Sequence, residues 1–228
     1  MSTVTLKKVC KTFGEGELAV YALRDVDLEI KAGGFICLSG PSGSGKTTLL
    51  NMVGGLDRPS SGEITISDKR VDLMDKGELA EMRLRNIGFI FQAYNLIPVL
   101  TARENVEFVM QLQGIPPEER HQKSSEILNE VGLAGLEDRK PAALSGGQQQ
   151  RVAVARALVS EPALILADEP TANLDSVTAE NLMNLLRHLN DDHKITFLIS
   201  THDKRVMSHA RRLLKLHDGQ IIDDIQQR

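Results

Sequence analysis

Gly40 to Thr47 reads GPSGSGKT and fits the pattern G-x-x-x-x-G-K-[ST], directly after the apolar run FICLS and directly before a helix-patterned stretch, Lys46 to Leu56. A strand, a glycine-rich turn and a helix N-terminus in that order make a nest of backbone N–H groups suited to the α- and β-phosphates of a nucleotide. The loop is Gly40, Pro41, Ser42, Gly43, Ser44 and Gly45; Lys46 reaches the β- and γ-phosphates, Thr47 offers its hydroxyl to Mg2+, and Thr48 joins the site from the first helical turn. A glycine-rich turn with a chance lysine would not need a buried strand before it and a helix after it.

Three further strand-like runs end in polar residues. ALILADEP, from Ala163 to Pro170, delivers two acids, and at the C-terminal end of a parallel strand Asp168 can hold a magnesium shell while Glu169 faces the water that attacks the γ-phosphate. Two adjacent carboxylates need separate tasks, because like charges side by side are costly without a metal. Both could instead cap the turn that Pro170 begins. FLISTHD places His202 just past another apolar run, where an imidazole can donate to the γ-phosphate; alone it would read as a structural residue. Gln92, in GFIFQAYNLIP, can ligate Mg2+ or position water through its amide, or be simply a polar strand end. Tyr94, Leu96, Ile97 and Val99 after it read as core or as a groove for a partner. GTP is disfavoured: no Asn-Lys-x-Asp occurs, and no aspartate is followed three positions later by glycine.

These residues require an α/β fold in which strand ends converge. VTLKKV and VYALRDVDLEI alternate apolar and polar residues and predict strands, as does GEITISDKR from Gly62, so the first sixty or so residues suit antiparallel pairing. From Thr101 the pattern turns helical: Thr101 and Glu104 fit a capping box, and Pro116-Pro117 restarts a helix ending near Gly132. The expected organisation is one domain, 1–228, with an α/β core and β subdomain over about 1–94 and 144–228 and a helical subdomain inserted over about 95–143. A helix from about Val177 to Leu189, the strand ITFLIS, and a hairpin turning at Asp218-Gly219 complete the chain.

Composition narrows the class. The chain has 228 residues, 41% hydrophobic and 25% charged, with a formal net charge of −4 that argues against broad binding to a phosphate backbone. Cys10 and Cys37 have neither disulfide nor zinc spacing, which fits packing in a reducing compartment. No run approaches the roughly 18 apolar residues of a membrane span, and the first residues lack a signal-peptide core. A cytosolic location is expected, with any membrane role acting through a partner.

LSGGQQQRVAVARAL, from Leu144, poses a separate question. Ser145 and Gln148 fit a capping box, yet Gly146 and Gly147 sit in a first helical turn, where each glycine costs about 0.8–1.0 kcal/mol against alanine. Taken together, the P-loop at Gly40 to Thr47, Gln92, LSGGQ at Leu144 to Gln148, Asp168 with Glu169, ANLD at Ala172 to Asp175, and His202 resemble, in order and spacing, the ATP-binding subunit of ABC transporters. The resemblance covers nearly the whole chain, and FQAYNLIPVLTARENV looks most like the group serving lipoprotein release, macrolide-type efflux and mechanotransmission.

That resemblance implies a P-loop NTPase core with a mostly parallel sheet, an N-terminal antiparallel β subdomain and an inserted helical subdomain. It implies ATP and Mg2+, Glu169, His202 and Gln92 as catalytic residues, and Thr47, Gln92 and Asp168 around the metal. Phe13 falls where an aromatic, usually tyrosine, stacks on adenine, and Asp175 belongs to the loop that contacts a second protomer. Ser145, Gly146, Gly147 and Gln148 would approach the γ-phosphate held by that protomer, which gives the bare glycines a reason. The implied partners are a second copy and integral membrane permease subunits, with the chain peripheral on the cytoplasmic face of the membrane and no direct nucleic acid contact. Sugar- and methionine-importer relatives add a C-terminal regulatory domain for which this sequence has no residues left. A soluble ABC ATPase acting on nucleic acid or ribosomes is the alternative, but would carry two ATPase halves or a coiled-coil insertion; a small-molecule kinase would have no use for LSGGQ.

Overall fold

The computed structural model describes residues 2–227, apart from the side chain of Glu17. Its centre is the run Phe35–Ser39 (β3), buried at every position, as a strand covered on both faces must be. β3 pairs in parallel with Thr196–Thr201 (β8) on one side and Arg212–His217 (β9) on the other. Beyond β8 lie Leu164–Asp168 (β7) and Ile87–Phe91 (β6), both parallel, and Gln220–Gln226 (β10) closes the opposite edge as an antiparallel hairpin with β9.

Alternation sorts the strand side chains onto two cores. Phe35, Cys37, Ile165, Ala167, Phe197 and Ile199 point to one face, where they meet the helices Ala102–Leu112 (α3), Pro117–Glu130 (α4), Gly146–Leu158 (α5) and Ser176–His193 (α6). The rings of Phe35 and Phe197, register partners, lie 5.5 Å apart by centroid, so truncating either would cost about 3–5 kcal/mol. Burial pushes the Cys37 thiol up to about 12, leaving it an inert packing group. Ile36, Leu38, Leu164, Leu166 and Leu198 point to the other face, against Lys46–Val53 (α1), Lys76–Asn86 (α2) and a second sheet. That sheet is antiparallel, in the order β2 (Val20–Lys31), β1 (Ser2–Phe13), β4 (Ser61–Ile66) and β5 (Lys69–Arg70). The mixed sheet, antiparallel N-terminal sheet and helices are those the sequence predicts.

Some boundaries differ. α1 ends at Val53, three residues before the predicted Leu56, because Gly54 caps it and Gly55 is left-handed at φ 60°. α6 runs on to His193, past the predicted Leu189, and stops where Lys194 turns left-handed at φ 57°. α2 has no counterpart in the sequence reading, although Asp75 and Glu78 form a reciprocal capping box with Leu79 and Met82 buried behind it. Among the described residues, no helix is long and apolar enough to cross a membrane.

Candidate nucleotide-binding site

Parallel registry brings the predicted site residues to one rim. Ser39 pairs with Thr201, Asp168 with Ser200, and Phe91 with Asp168, so the strands end level. Gly40, Gln92, Glu169 and His202 each follow the last residue of its strand, which places them together at the carboxyl edge where open α/β sheets bind ligands.

The loop after β3 is shaped by glycine. Gly45 caps α1 at φ 102°, and a methyl group on it would lie 2.5 Å from the carbonyl oxygen of Ala22, so neither the dihedral nor the space admits another residue. Lys46 Nζ donates to the carbonyl oxygens of Gly40 at 2.9 Å and Pro41 at 3.0 Å, which folds the lysine back along its own loop. Thr47 Oγ1 donates to Asp168 Oδ2 at 3.1 Å, and the Ser200 hydroxyl donates to Asp168 Oδ1. Glu169 stands in the left-handed region at φ 48°, with its N–H donating to the Ser200 carbonyl at 3.1 Å. Such a conformation costs a non-glycine residue on the order of 1–3 kcal/mol and clusters at functional sites. It turns the Glu169 carboxylate to Nδ1 of His202, 2.8 Å away, with the imidazole largely exposed and the carboxylate largely covered.

These groups open on a cleft of about 740 Å3 lined by the P-loop, Thr47, Thr48, Gln92, Glu169, Ala172 and His202 on one side. Ala19, Val20, Tyr21, Ala22, Arg24, Asp218 and Gly219 line the other. Phe13, the expected adenine platform, is outside this lining: its ring is 46% exposed beneath Lys11 Nζ, which lies 4.9 Å from the centroid. Phe13 pairs across the strands with Val20, so it borders the cleft, while the aromatic facing into it is Tyr21, with the Arg24 guanidinium 5.4 Å from its ring. In the sequence, Tyr21 belongs to an alternating run that marks it only as a strand residue.

Ser145 to Gln148 do not line their own chain's cleft. The capping box is present as predicted: Ser145 Oγ accepts from the Gln148 N–H at 3.3 Å and Gln148 Oε1 accepts from the Ser145 N–H at 2.9 Å. The two glycines have a reason within the chain as well. A methyl on Gly146 would lie 2.9 Å from the Tyr94 hydroxyl oxygen, and one on Gly147 would lie 2.5 Å from Cγ2 of Thr178. Tyr94 and Asn95 are both left-handed, at φ 60° and 50°, and Arg156 holds them by donating to their carbonyl oxygens at 2.9 and 2.6 Å. Burial lowers the guanidinium's affinity for its proton, though Arg156 stays charged at neutral pH. Gln150, fully buried on α5, donates to the Pro170 carbonyl at 2.7 Å, and Asn173 donates to the Gln92 carbonyl at 2.9 Å. The segments carrying Gln92, LSGGQ and Glu169 are thus tied to one another, by Asn173 of ANLD and by Gln150 and Arg156 of α5.

Asp175, expected in the loop that meets a second protomer, caps a helix of its own chain. Its carboxylate caps α6, accepting from the N–H groups of Val177 and Thr178 at 3.0 Å each, and the Thr178 hydroxyl bond, then those amides, hold it below the usual carboxylate range. Ala172, Asn173 and Asp175 are all exposed, so this loop presents a polar edge to solvent while its carboxylate caps α6.

Fold and site together define a P-loop nucleotide-binding protein. The family model described as ABC transporter matches residues 23–172. The chain is 45% identical over 221 residues to the macrolide export ATP-binding/permease protein MacB of Marinobacter nauticus, covering 97% of this chain and 34% of that protein. It is 47% identical over 225 residues to the uncharacterized ABC transporter ATP-binding protein MJ0796 of Methanocaldococcus jannaschii, covering 96% of this chain and 94% of that one. A dimeric, post-hydrolysis structure of the ATP-binding cassette MJ0796, bound to ADP and Pi, superposes with a TM-score of 0.90 at 45% identity over 99% of both chains. The chain therefore belongs to the ABC transporter family and has the fold of its ATP-binding cassette; it spans about a third of the length of the MacB relatives.

Proposed function

We propose that the chain binds ATP with Mg2+, hydrolyses it in a homodimer, and drives membrane permease subunits from the cytoplasmic face, in export, lipoprotein release or related mechanotransmission. The observation that carries this reading is the alignment of four strand ends that puts Gly40, Gln92, Glu169 and His202 on one rim. Lys46, resting on two loop carbonyls, exchanges those acceptors for β- and γ-phosphate oxygens at little desolvation cost. Thr47 and Asp168 bring a hydroxyl and a carboxylate within 3.1 Å, a hard-oxygen pair that suits Mg2+ completed by phosphate and water, and Gln92 lines the same cleft as a further candidate ligand. Bound there, Mg2+ would neutralise charge on the phosphates. Glu169 accepts the hydrogen bond of the attacking water, and His202, whose Nδ1–H donates to the Glu169 carboxylate, fixes its orientation beside the γ-phosphate.

A single chain leaves Ser145 to Gln148 outside the cleft, and the MJ0796 cassette is dimeric with ADP and Pi. We take the helix N-terminus at Ser145 as the cover for the γ-phosphate bound by the second copy. The membrane contact falls to an apolar groove of about 540 Å3 between α2, β6, α3 and α5, with stacked Phe89 and Phe91 on its floor and Leu112, 58% exposed, on its rim. Its occupant is an amphipathic cytoplasmic helix of a permease, since the MacB relatives join a permease to this cassette and Asn95, beside Gln92, lines the groove. Nucleotide titration tests the first part: Lys46→Ala should weaken ATP binding by about a hundredfold or more, as loss of a charged, partly buried contact implies, and unchanged affinity would sink the assignment. For the second part, Leu112→Asp should release the chain from membranes holding its permease while leaving ATP affinity unaltered; retention on those membranes would refute the groove.

A further inference from the structure

The phosphate loop is enclosed by backbone from a part of the chain that carries none of the nucleotide motifs. Leu216 to Gly219, at the end of β9 and in the turn to β10, lies across it. The Gly219 N–H donates to the Ser44 carbonyl at 3.0 Å, and the Gly219 carbonyl accepts from the Arg24 N–H at 2.9 Å, so one residue joins the P-loop to β2. There is no space between these backbones. A methyl on Gly40 would lie 2.2 Å from the Leu216 carbonyl oxygen, and one on Gly219 would lie 2.7 Å from that of Ala22. Gly219 is left-handed at φ 77°, after Asp218 at φ 47°, and both residues line the nucleotide cleft.

We propose that the Asp218-Gly219 turn is a buttress of the phosphate loop and that Gly219 is a positioning residue for nucleotide binding. The inference rests on the ATP-binding reading of the cleft. A glycine-rich loop in isolation samples many conformations, and only the one with converging N–H groups binds phosphate. The apparent affinity falls by whatever fraction of time the loop spends elsewhere. The interlock of Gly40 and Gly219 with the Leu216 and Ala22 carbonyls, together with the bonds to Ser44 and Arg24, restricts that sampling before nucleotide arrives.

Two substitutions separate the close approach from the dihedral. Gly219→Ala suffers both; Gly219→Asn tolerates the left-handed dihedral but still places a Cβ against backbone. Gly135, at φ 79° with open space around it, is the control for strain alone. ATP titration should show affinity lowered about tenfold or more in both Gly219 variants, with turnover at saturating ATP within about twofold, the pattern of lost binding without lost chemistry. Gly135→Ala should lower the thermal midpoint and leave the affinity as in the wild type. Wild-type affinity in folded Gly219→Ala, or in Gly219→Asn alone, would overturn the proposal. Hydrogen exchange on the unaltered chain gives a measurement that needs no variant to fold: ATP should protect 216–222 together with 40–47, and protection of 40–47 alone would also overturn it. A wild-type chain that binds no ATP would instead remove the reading of the cleft on which the inference stands.

Discussion

Gly147 shows how two explanations can meet at one residue. Its missing side chain suits a phosphate approaching from a second copy, yet the nearest obstacle to a methyl there is Thr178 Cγ2, 2.5 Å away in the same chain. Thr178 is not free to turn aside, because its hydroxyl is bonded to Asp175. Gly147→Ala should therefore weaken ATP-dependent dimerisation, and Thr178→Ser, which removes the methyl and keeps the hydroxyl, should restore much of it. Sedimentation of the single and double variants with ATP decides the matter; no recovery in the double variant would assign the requirement to the other protomer. At this scale the sequence was most legible where a residue type is chemically obligatory. Lys46, Thr47, Asp168, Glu169 and Gln92 come together at one rim because each follows a parallel strand or its loop, and the strands end level. Phe13 and Tyr21 were less legible: both are aromatics on adjacent strands, and which one faces the cleft depends on register and bulges between β1 and β2 that alternation does not specify.

At the level of elements, α5 is the hub. Its N-terminus carries LSGGQ, Gln150 reaches the turn after β7, and Arg156 holds the left-handed pair after β6. Those are contacts at sequence separations of 20, 61 and 62 residues, which is why no local pattern announced them. Arg156→Ala leaves two strained residues without their anchor. Hydrogen bonds from a charged donor contribute roughly 1.5–3 kcal/mol each, so with two of them lost urea unfolding should show a loss of about 3–6 kcal/mol; a loss below about 0.5 kcal/mol would mean the turn stands by itself. The elements read correctly from sequence were those with strong local signals: the capping boxes at Thr101 and Ser145, and Pro117 opening α4. α2 carries the same signal at Asp75, but its low overall hydrophobicity and only two buried residues hid it behind the preceding strand.

On the scale of the whole molecule, the arrangement is incomplete in a specific way. The cleft holds the phosphate loop, Glu169 and His202, while Ser145 to Gln148 present a capped helix N-terminus outside it. The helices over about 95–143, expected as a subdomain within one domain, pack on the central core: Val106, Met110 and Leu128 share one continuous cluster with Phe35, Phe197 and α5. In the proposed working state two copies close around ATP. Size-exclusion chromatography of Glu169→Gln with ATP and Mg2+ tests it most directly, because removing the acid that orients water should stop turnover without weakening ATP binding. A dimer that forms with ATP, retains unhydrolysed nucleotide, and is lost when Lys46→Ala is added is the predicted result. A chain that binds ATP yet remains monomeric at every concentration would contradict the account.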